Sequence, residues 1–409
     1  MDRQNCEVVV AGHVCLDIIP TLREIRGKLS SLLVPGTLVN VGPAVTSTGG
    51  AVSNTGLALH RLGFRTRLVG KVGDDLLGRT ILEVLRRQHP SLTHGMIIAP
   101  GEASSYTVVI SPPGVDRVFL HCPGANDTFL ADDVDDGRLV GAKLFHFGYP
   151  PLMRRMYTHG GEECARLLRR VKRLGITTSL DMAMPDPDLD AGKVDWKGWL
   201  KRVLPHVDVF LPSVEETLFM LDRGRFDRML RGDVTARVDG NLLTRLSEHL
   251  LALGAALVML KLGDQGVYLR TTARAARGSP NAKNRVWGPL SAMGRSRPAN
   301  PDAWTGREIL APCFRVSVVG TTGSGDCTIA GFLGGLLRGL SPEDAVTLAV
   351  AVGGASVEQA DATSGVPPWS ELEKRIRSGW KRRRVDLKLP GWTWNPKRRL
   401  WIGPHNEGG

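Results

Sequence analysis

The sequence predicts an α/β fold in which a mainly parallel central sheet is covered by helices on both faces and joined by a small β layer. Short apolar runs of strand length alternate with longer segments of helical period, and this alternation favours a parallel sheet with crossover helices. The strand candidates are Val8 to Ala11, Arg67 to Gly70, Lys143 to Phe147, Thr177 to Leu180, Val207 to Leu211 and Ala256 to Lys261, and several end in Gly, Asp or Pro. In an open α/β sheet the carboxyl ends of the strands are where ligand-binding loops lie. Two segments break the alternation. Val34 to Val45 and Ser105 to Leu120 are rich in Val, Thr and small turn residues, and they read as strands of the second layer or as edge hairpins.

The first chemical signal is Gly320-Thr-Thr-Gly323-Ser324-Gly325-Asp326, which opens the apolar, helix-like run Cys327 to Leu337. Glycines let consecutive backbone N–H groups turn toward one anion, and the helix behind them adds the positive end of its dipole. A carboxylate beside such a site repels the anion unless it accepts a proton from a hydroxyl attacking a phosphate. No Lys follows the glycines, so the loop is not a Walker A motif. A Gly-rich turn that only caps a buried helix is the plain alternative.

A second signal lies near the N-terminus. The strand Glu7 to Gly12 is followed by Asp17, and Gly49-Gly50-Ala-Val-Ser-Asn54 precedes a helix with Leu57, Leu59 and Leu62, closed by Gly63. Glycines permit close approach of a ligand, while an Asp and an Asn supply the acceptors and donors that a polyhydroxylated molecule needs. A turn carboxylate and a helix-start residue are the structural alternatives for Asp17 and Asn54.

Together these motifs resemble the ribokinase-like, or PfkB, carbohydrate kinases. Gly49-Gly50-x-x-x-Asn54, Gly63 and Val72-Gly73-Asp74-Asp75-x-x-Gly78 are similar to the N-terminal signature of that family, and Thr321 to Asp326 to its C-terminal signature. Pro123-Gly-Ala-Asn126, Pro212 to Glu216 and Lys261-Leu-Gly263-Asp-Gln-Gly266 lie between them in the family order. The likeness runs from about Val8 to about Pro368. It implies an ATP-dependent sugar kinase that passes the γ-phosphoryl group to a hydroxymethyl group, with Asp326 as general base and the N–H groups of Gly323, Ser324 and Gly325 holding the transferring group. Asp17, Gly49, Gly50 and Asn54 would bind the sugar. Ser213, Glu216, Lys261, Gly263, Gly266 and Thr321 would lie on the nucleotide side, and Glu216 would help hold Mg2+, through water. The early β segments would form a lid over the sugar, through which family members pair as homodimers.

Two positions depart from the family pattern. Gly320 replaces an Asp that ligates a monovalent cation in relatives activated by one, and loss of a hard oxygen ligand weakens such a site. Ser213 replaces the Asn of an Asn-x-x-Glu element, giving a shorter reach to magnesium and phosphate. A nucleoside kinase of the same family, or a non-catalytic binding or regulatory protein on the same fold, are the alternative functions.

Composition fits a large α/β enzyme. The 409 residues are 42% hydrophobic, enough for a large core. Six cysteines, none in a Cys-x-x-Cys pair, argue against a disulfide framework or a structural zinc. With no signal-peptide pattern and no apolar run of bilayer length, a cytoplasmic protein is expected. The formal charge of +12 concentrates in a basic insertion at about 271–307 and in a tail at 371–409 with Trp380, Trp392, Trp394 and Trp401, beyond a kinase domain at 1–370. Without a nucleic-acid motif, the tryptophans are read as packing the tail on the core, and nucleic acid is not an expected partner. His13, His121 and His146 read as structural, and Asp181, at the carboxyl edge of the sheet, as a turn carboxylate, with contact to substrate or magnesium as its alternative.

Overall fold

A computed structural model describes residues 6–22, 34–110, 118–232, 238–272 and 301–407. Its centre is a ten-stranded sheet in the order Thr393–Asn395, Leu400–Ile402, Glu308–Ala311, Val267–Thr271, Leu257–Lys261, Val209–Phe210, Thr177–Asp181, Leu144–Gly148, Val8–Gly12 and Thr66–Val69. The last six run parallel, and the first four add antiparallel to the edge at Leu257–Lys261. Along Val8–Gly12 every residue is buried, because both faces of the strand are covered. Val8 and Val10 enter the core shared with helices Ala51–Arg61, Ser324–Leu337 and Pro342–Ser356. Val9 and Ala11 enter the opposite core, with helices Glu162–Arg173, Trp196–Val203, Val214–Leu221 and Gly240–Ala252.

Helices Ser324–Leu337 and Pro342–Ser356 lie close together because small residues face each other. A Cβ on Gly331 would come within 2.8 Å of the Leu348 carbonyl oxygen. From Ile329 onward the first of these helices is apolar all round and buried, as its composition requires.

A second sheet of four strands has the order Gly42–Gly49, Cys15–Thr21, Tyr106–Ile110, Val118–Cys122. This corrects the strand expected at Val34 to Val45. Residues 34–41 are exposed and form no strand, since Pro35-Gly36 turns the chain, and the strand begins at Gly42 and reaches Gly49. Its central partner, Cys15–Thr21, follows the first core strand almost directly. Gly12, at φ 123°, turns the chain there, and Asn126 clamps the joint by accepting from Val14 N–H (3.2 Å) and donating to the Val14 carbonyl (2.9 Å). The segment expected at Ser105 to Leu120 forms two strands, with 111–117 outside the described residues. Of the basic insertion, 273–300 lie outside them too.

The C-terminal residues extend the main sheet, with Ile309 opposite Ile402 and Leu310 opposite Trp401. Trp380 stacks on Phe314 at 4.3 Å between ring centroids, and Trp392 packs 5.9 Å from Tyr268. All six cysteines are free. Among the described residues no helix is long and apolar enough to cross a membrane.

Leu400 is fully buried although it lies in the basic tail. Leu400→Ala should therefore lower stability by about 2–5 kcal/mol in urea unfolding, the range for a truncated core leucine.

Candidate active site

Asp326 occupies the first turn of Ser324–Leu337, behind an N-cap at Gly323 whose φ is 69°. It is 2% exposed, and buried carboxylates need hydrogen-bond donors. Three come from distant parts of the chain. Asn54 Nδ2 donates to Oδ2 at 3.0 Å, Thr55 Oγ1 to Oδ1 at 3.3 Å, and the Tyr149 hydroxyl lies 2.9 and 2.8 Å from the two oxygens. The two glycine motifs, 272 positions apart, thus meet at one carboxylate. Burial raises the Asp326 carboxyl above its usual range, while Asn54, Lys261 and Tyr149 act in the opposite direction.

Asp326 lines two cavities, and its helix neighbours Ser324 and Gly325 line a third. The largest, about 1040 Å3, is lined by Asp17, Gly50, Asn54, His13, His121 and Phe119 among others. Asp17 comes from the second sheet and accepts from Cys15 Sγ at 3.4 Å. Burial lifts its carboxyl to about 6, opposed by hydrogen bonds from Cys15 and Thr107. Gly49 is required beside it, because a Cβ there would lie 2.4 Å from Asp17 Oδ2. Gly50, at φ 85°, admits the His13 carbonyl, which would be 2.5 Å from a Cβ. His13 and His121 face each other with Nε2 atoms 3.4 Å apart. Burial and the neighbouring imidazole lower His13 to about 3.

The second cavity, about 280 Å3, is an acid-lined cup holding Gly323, Ser324, Gly325, Thr321, Glu216 and Lys261. Lys261 Nζ pairs with Asp181 Oδ1 at 2.5 Å. Burial disfavours the Lys261 charge, yet Asp181 and Glu216 carry its pKa above the ordinary value. Burial raises both Asp181 and Glu216, against the opposing pull of Lys261. Ser213 sits behind the cup as an N-cap: its hydroxyl accepts from Glu216 N–H at 3.1 Å, and Glu216 Oε2 accepts from Ser213 N–H at 2.7 Å. The third cavity, about 250 Å3, runs from Lys261, Gly263 and Gly266 past Phe314, Val350 and Val357, and is mostly apolar. Thr321 lines all three.

Gly320 lies against backbone, and a Cβ there would sit 2.8 Å from the Ala360 carbonyl oxygen. Among the described residues no three His, Cys, Asp or Glu side chains are placed to hold a metal ion by themselves. Glu216 and Asp181 are hard oxygen donors beside the cup, and Asp181 Oδ2 is buried without a hydrogen-bond partner among the described residues. That donor set suits a magnesium that brings its remaining ligands as water and phosphate.

The sequence reading overlooked several members of this cleft. Asp181, read there as a turn carboxylate, is 1% exposed and ion-paired at the strand end. Thr55 sits one residue beyond the motif asparagine and reads as an ordinary helical Thr. Tyr149 carries one faint signal, a Gly-Tyr-Pro-Pro turn after a strand. Its φ of 68° and ψ of 45° cost an L-residue about 1–2 kcal/mol. Arg383, from the C-terminal segment, lines the apolar cavity and pairs with Asp264 at 2.7 Å.

A profile of the pfkB family carbohydrate kinases matches residues 6–286 and 304–369. An uncharacterised sugar kinase of Archaeoglobus fulgidus is 24% identical over 311 residues, spanning 76% of this chain and 98% of that protein. Arabidopsis thaliana ribokinase complexed with ribose and ATP superposes with a TM-score of 0.65 at 17% identity, over 91% of this chain and 99% of the other. Xylella fastidiosa fructokinase with bound ATP gives 0.64 at 18% identity, over 91% and 98%. The fold is the ribokinase fold, and with the family profile spanning most of its length the chain belongs to the pfkB family of carbohydrate kinases, phosphotransferases with an alcohol group as acceptor.

Proposed function

We propose that the protein transfers the γ-phosphoryl group of ATP to a hydroxymethyl group of a sugar or sugar-like alcohol, with Asp326 as general base. The observation that carries this reading is the 3.0 Å hydrogen bond between Asn54 and Asp326, which joins the polyol-type cavity to the anion cup at a single carboxylate. Asp17, Asn54 and the close backbone at Gly49 and Gly50 orient the acceptor. The N–H groups of Gly323, Ser324 and Gly325, at a helix start, face the charge that spreads over the transferring group. Asp326 takes the hydroxyl proton as that oxygen attacks phosphorus. The apolar cavity between Gly263 and Val357 takes the nucleotide base. Glu216 would hold magnesium, through water, and the ion would supply charge neutralisation on the phosphates when bound. Gly320 supplies no carboxylate, and a Cβ there would press on the Ala360 carbonyl oxygen at 2.8 Å, so activity is expected without a monovalent cation.

One observation favours a second reading for the acceptor. The cavity of about 1040 Å3 exceeds what a monosaccharide needs and carries the aromatic rings of Phe119, His121 and Tyr157, which suits a nucleoside. A panel of pentoses, hexoses, sugar acids, cyclitols and nucleosides with MgATP separates the two. Turnover of no member of that panel would favour a non-catalytic protein.

Asp326→Asn is nearly isosteric and removes the base, and should lower kcat by about 10²–10⁴-fold, with circular dichroism checking that the fold is kept although one acceptor oxygen is replaced by a donor. Wild-type rates in that variant would exclude Asp326 as the base.

The raised carboxyls set a pH dependence. A base works when ionised, so a raised pKa moves the acid limb of kcat above the usual carboxylate range. Asp17 loses its charge as pH falls through about 6, so the acceptor KM should rise there. Asp17→Asn should abolish that rise and leave the kcat limb in place, as pH profiles of both parameters would reveal.

We further infer a homodimer through the second sheet, whose residues Val45, Phe119 and Leu120 are exposed. Sedimentation should give a dimer for the wild type and a monomer for Leu120→Asp.

A further inference from the structure

Tyr149 is the one described non-glycine residue that lines the cleft from a left-handed backbone. Glycine would hold the same turn without strain, so the cost of keeping a tyrosine here points to a task for its side chain. The ring lies between the acceptor cavity and the anion cup and lines both. Its hydroxyl stands 2.9 Å from Oδ1 and 2.8 Å from Oδ2 of Asp326, in the fork of the carboxylate. A phenol has one proton and cannot give it fully to both oxygens, so this is a shared contact. Asn54 and Thr55 hold the same two oxygens from the helix Ala51–Arg61. The phenol therefore takes up the approach to the base that opens onto the acceptor cavity.

Resting on the reading of Asp326 as the base, we propose that the Tyr149 hydroxyl is a stand-in for the acceptor hydroxyl. It occupies the carboxylate fork while the acceptor cavity is empty, keeps water out of that place, and is displaced when the acceptor arrives. The function is to suppress wasteful hydrolysis. A water in the fork would attack the γ-phosphorus and give its proton to Asp326, while the bond from that phosphorus to the bridging oxygen breaks, leaving ADP and inorganic phosphate. A phenol in the same place closes that route and still yields to an alcohol that brings further hydrogen bonds to Asp17 and Asn54. Burial and the nearby Asp326 charge hold the phenol pKa well above its usual value, so the group remains a donor.

The test compares wild type, Tyr149→Phe and Tyr149→Ala, each with and without Asp326→Asn, in MgATP without acceptor and then with the panel sugar that turns over fastest. Tyr149→Ala opens the fork to water and should raise acceptor-free ADP formation about tenfold, an increase that Asp326→Asn abolishes. Tyr149→Phe removes the competing hydroxyl and should lower the acceptor KM several-fold, with kcat within about twofold. Acceptor-free ADP formation at the wild-type rate in both variants overturns the proposal. So does a fall in kcat at constant KM in Tyr149→Phe, which would make the hydroxyl a positioning group for Asp326. Should the variants not fold, wild-type protein labelled at tyrosine Cζ gives an independent reading, since the chain has four tyrosines. Tyr157 also lines the acceptor cavity, so its resonance is first identified by its loss in Tyr157→Phe. A further resonance, that of Tyr149, should move when the sugar saturates the site and not with MgATP alone, and no movement beyond that of Tyr157 overturns the proposal. If Asp326→Asn retains acceptor turnover, the base reading itself fails. If that variant is inactive while the Tyr149 variants match wild type, only the stand-in fails.

Discussion

A carboxylate removed from water at the start of a buried helix is the constraint around which this cleft is organised. Asp326 cannot be solvated, so donors must reach it from the protein, and they come from an early helix and from the turn after a central strand. These hydrogen bonds join the apolar packing between helix Ala51–Arg61 and helix Ser324–Leu337. Gly323 makes the approach feasible, because a Cβ there would collide with Ala362 at 2.5 Å and crowd the Asn54 amide at 3.3 Å. Both helices start at the same end of the sheet, where parallel strands place their carboxyl ends together. The chemistry and the packing are thus tied to one group.

Around that group the charges are unevenly matched. Asp181, Glu216 and Asp326 share one lysine, Lys261, and burial pushes all three acids upward. Asp181 makes the direct ion pair, which leaves Lys261 only partly available to an incoming anion. A buried pair of this kind gives little net stability, since desolvation offsets attraction, but losing either partner strands a charge. Its value lies in orientation. The pair draws the Lys261 side chain over the strand ends, where it lines the cup with Gly323, Ser324 and Gly325.

The motifs were legible because they depend on backbone geometry that few residues allow. Gly49, Gly50 and Gly323 stand where a side chain would collide, so their identities and spacings announce the turns that they make. The parallel strands were legible because runs buried on both faces must be apolar throughout. The strand Cys15–Thr21 was not, because it follows the previous strand with only His13 and Val14 between and a hinge at Gly12. Tyr149, Thr55 and Arg383 were not legible as members of the cleft either. Each has an ordinary local setting, and only long-range packing gives it a ligand-facing position.

The sequence by itself determined the alternation of strand and helix and the two glycine turns, because these follow from local periodicity and from steric limits on single residues, and the order of its motifs carried the resemblance to the family. The tertiary structure alone decided that residues 54 and 326 touch, that Asp181 is a buried partner of Lys261 and that the tail completes the sheet. Those are facts about which surfaces exclude water together. No local pattern encodes them, since they arise only when distant segments compete to bury the same apolar area and must satisfy the polar groups trapped with it.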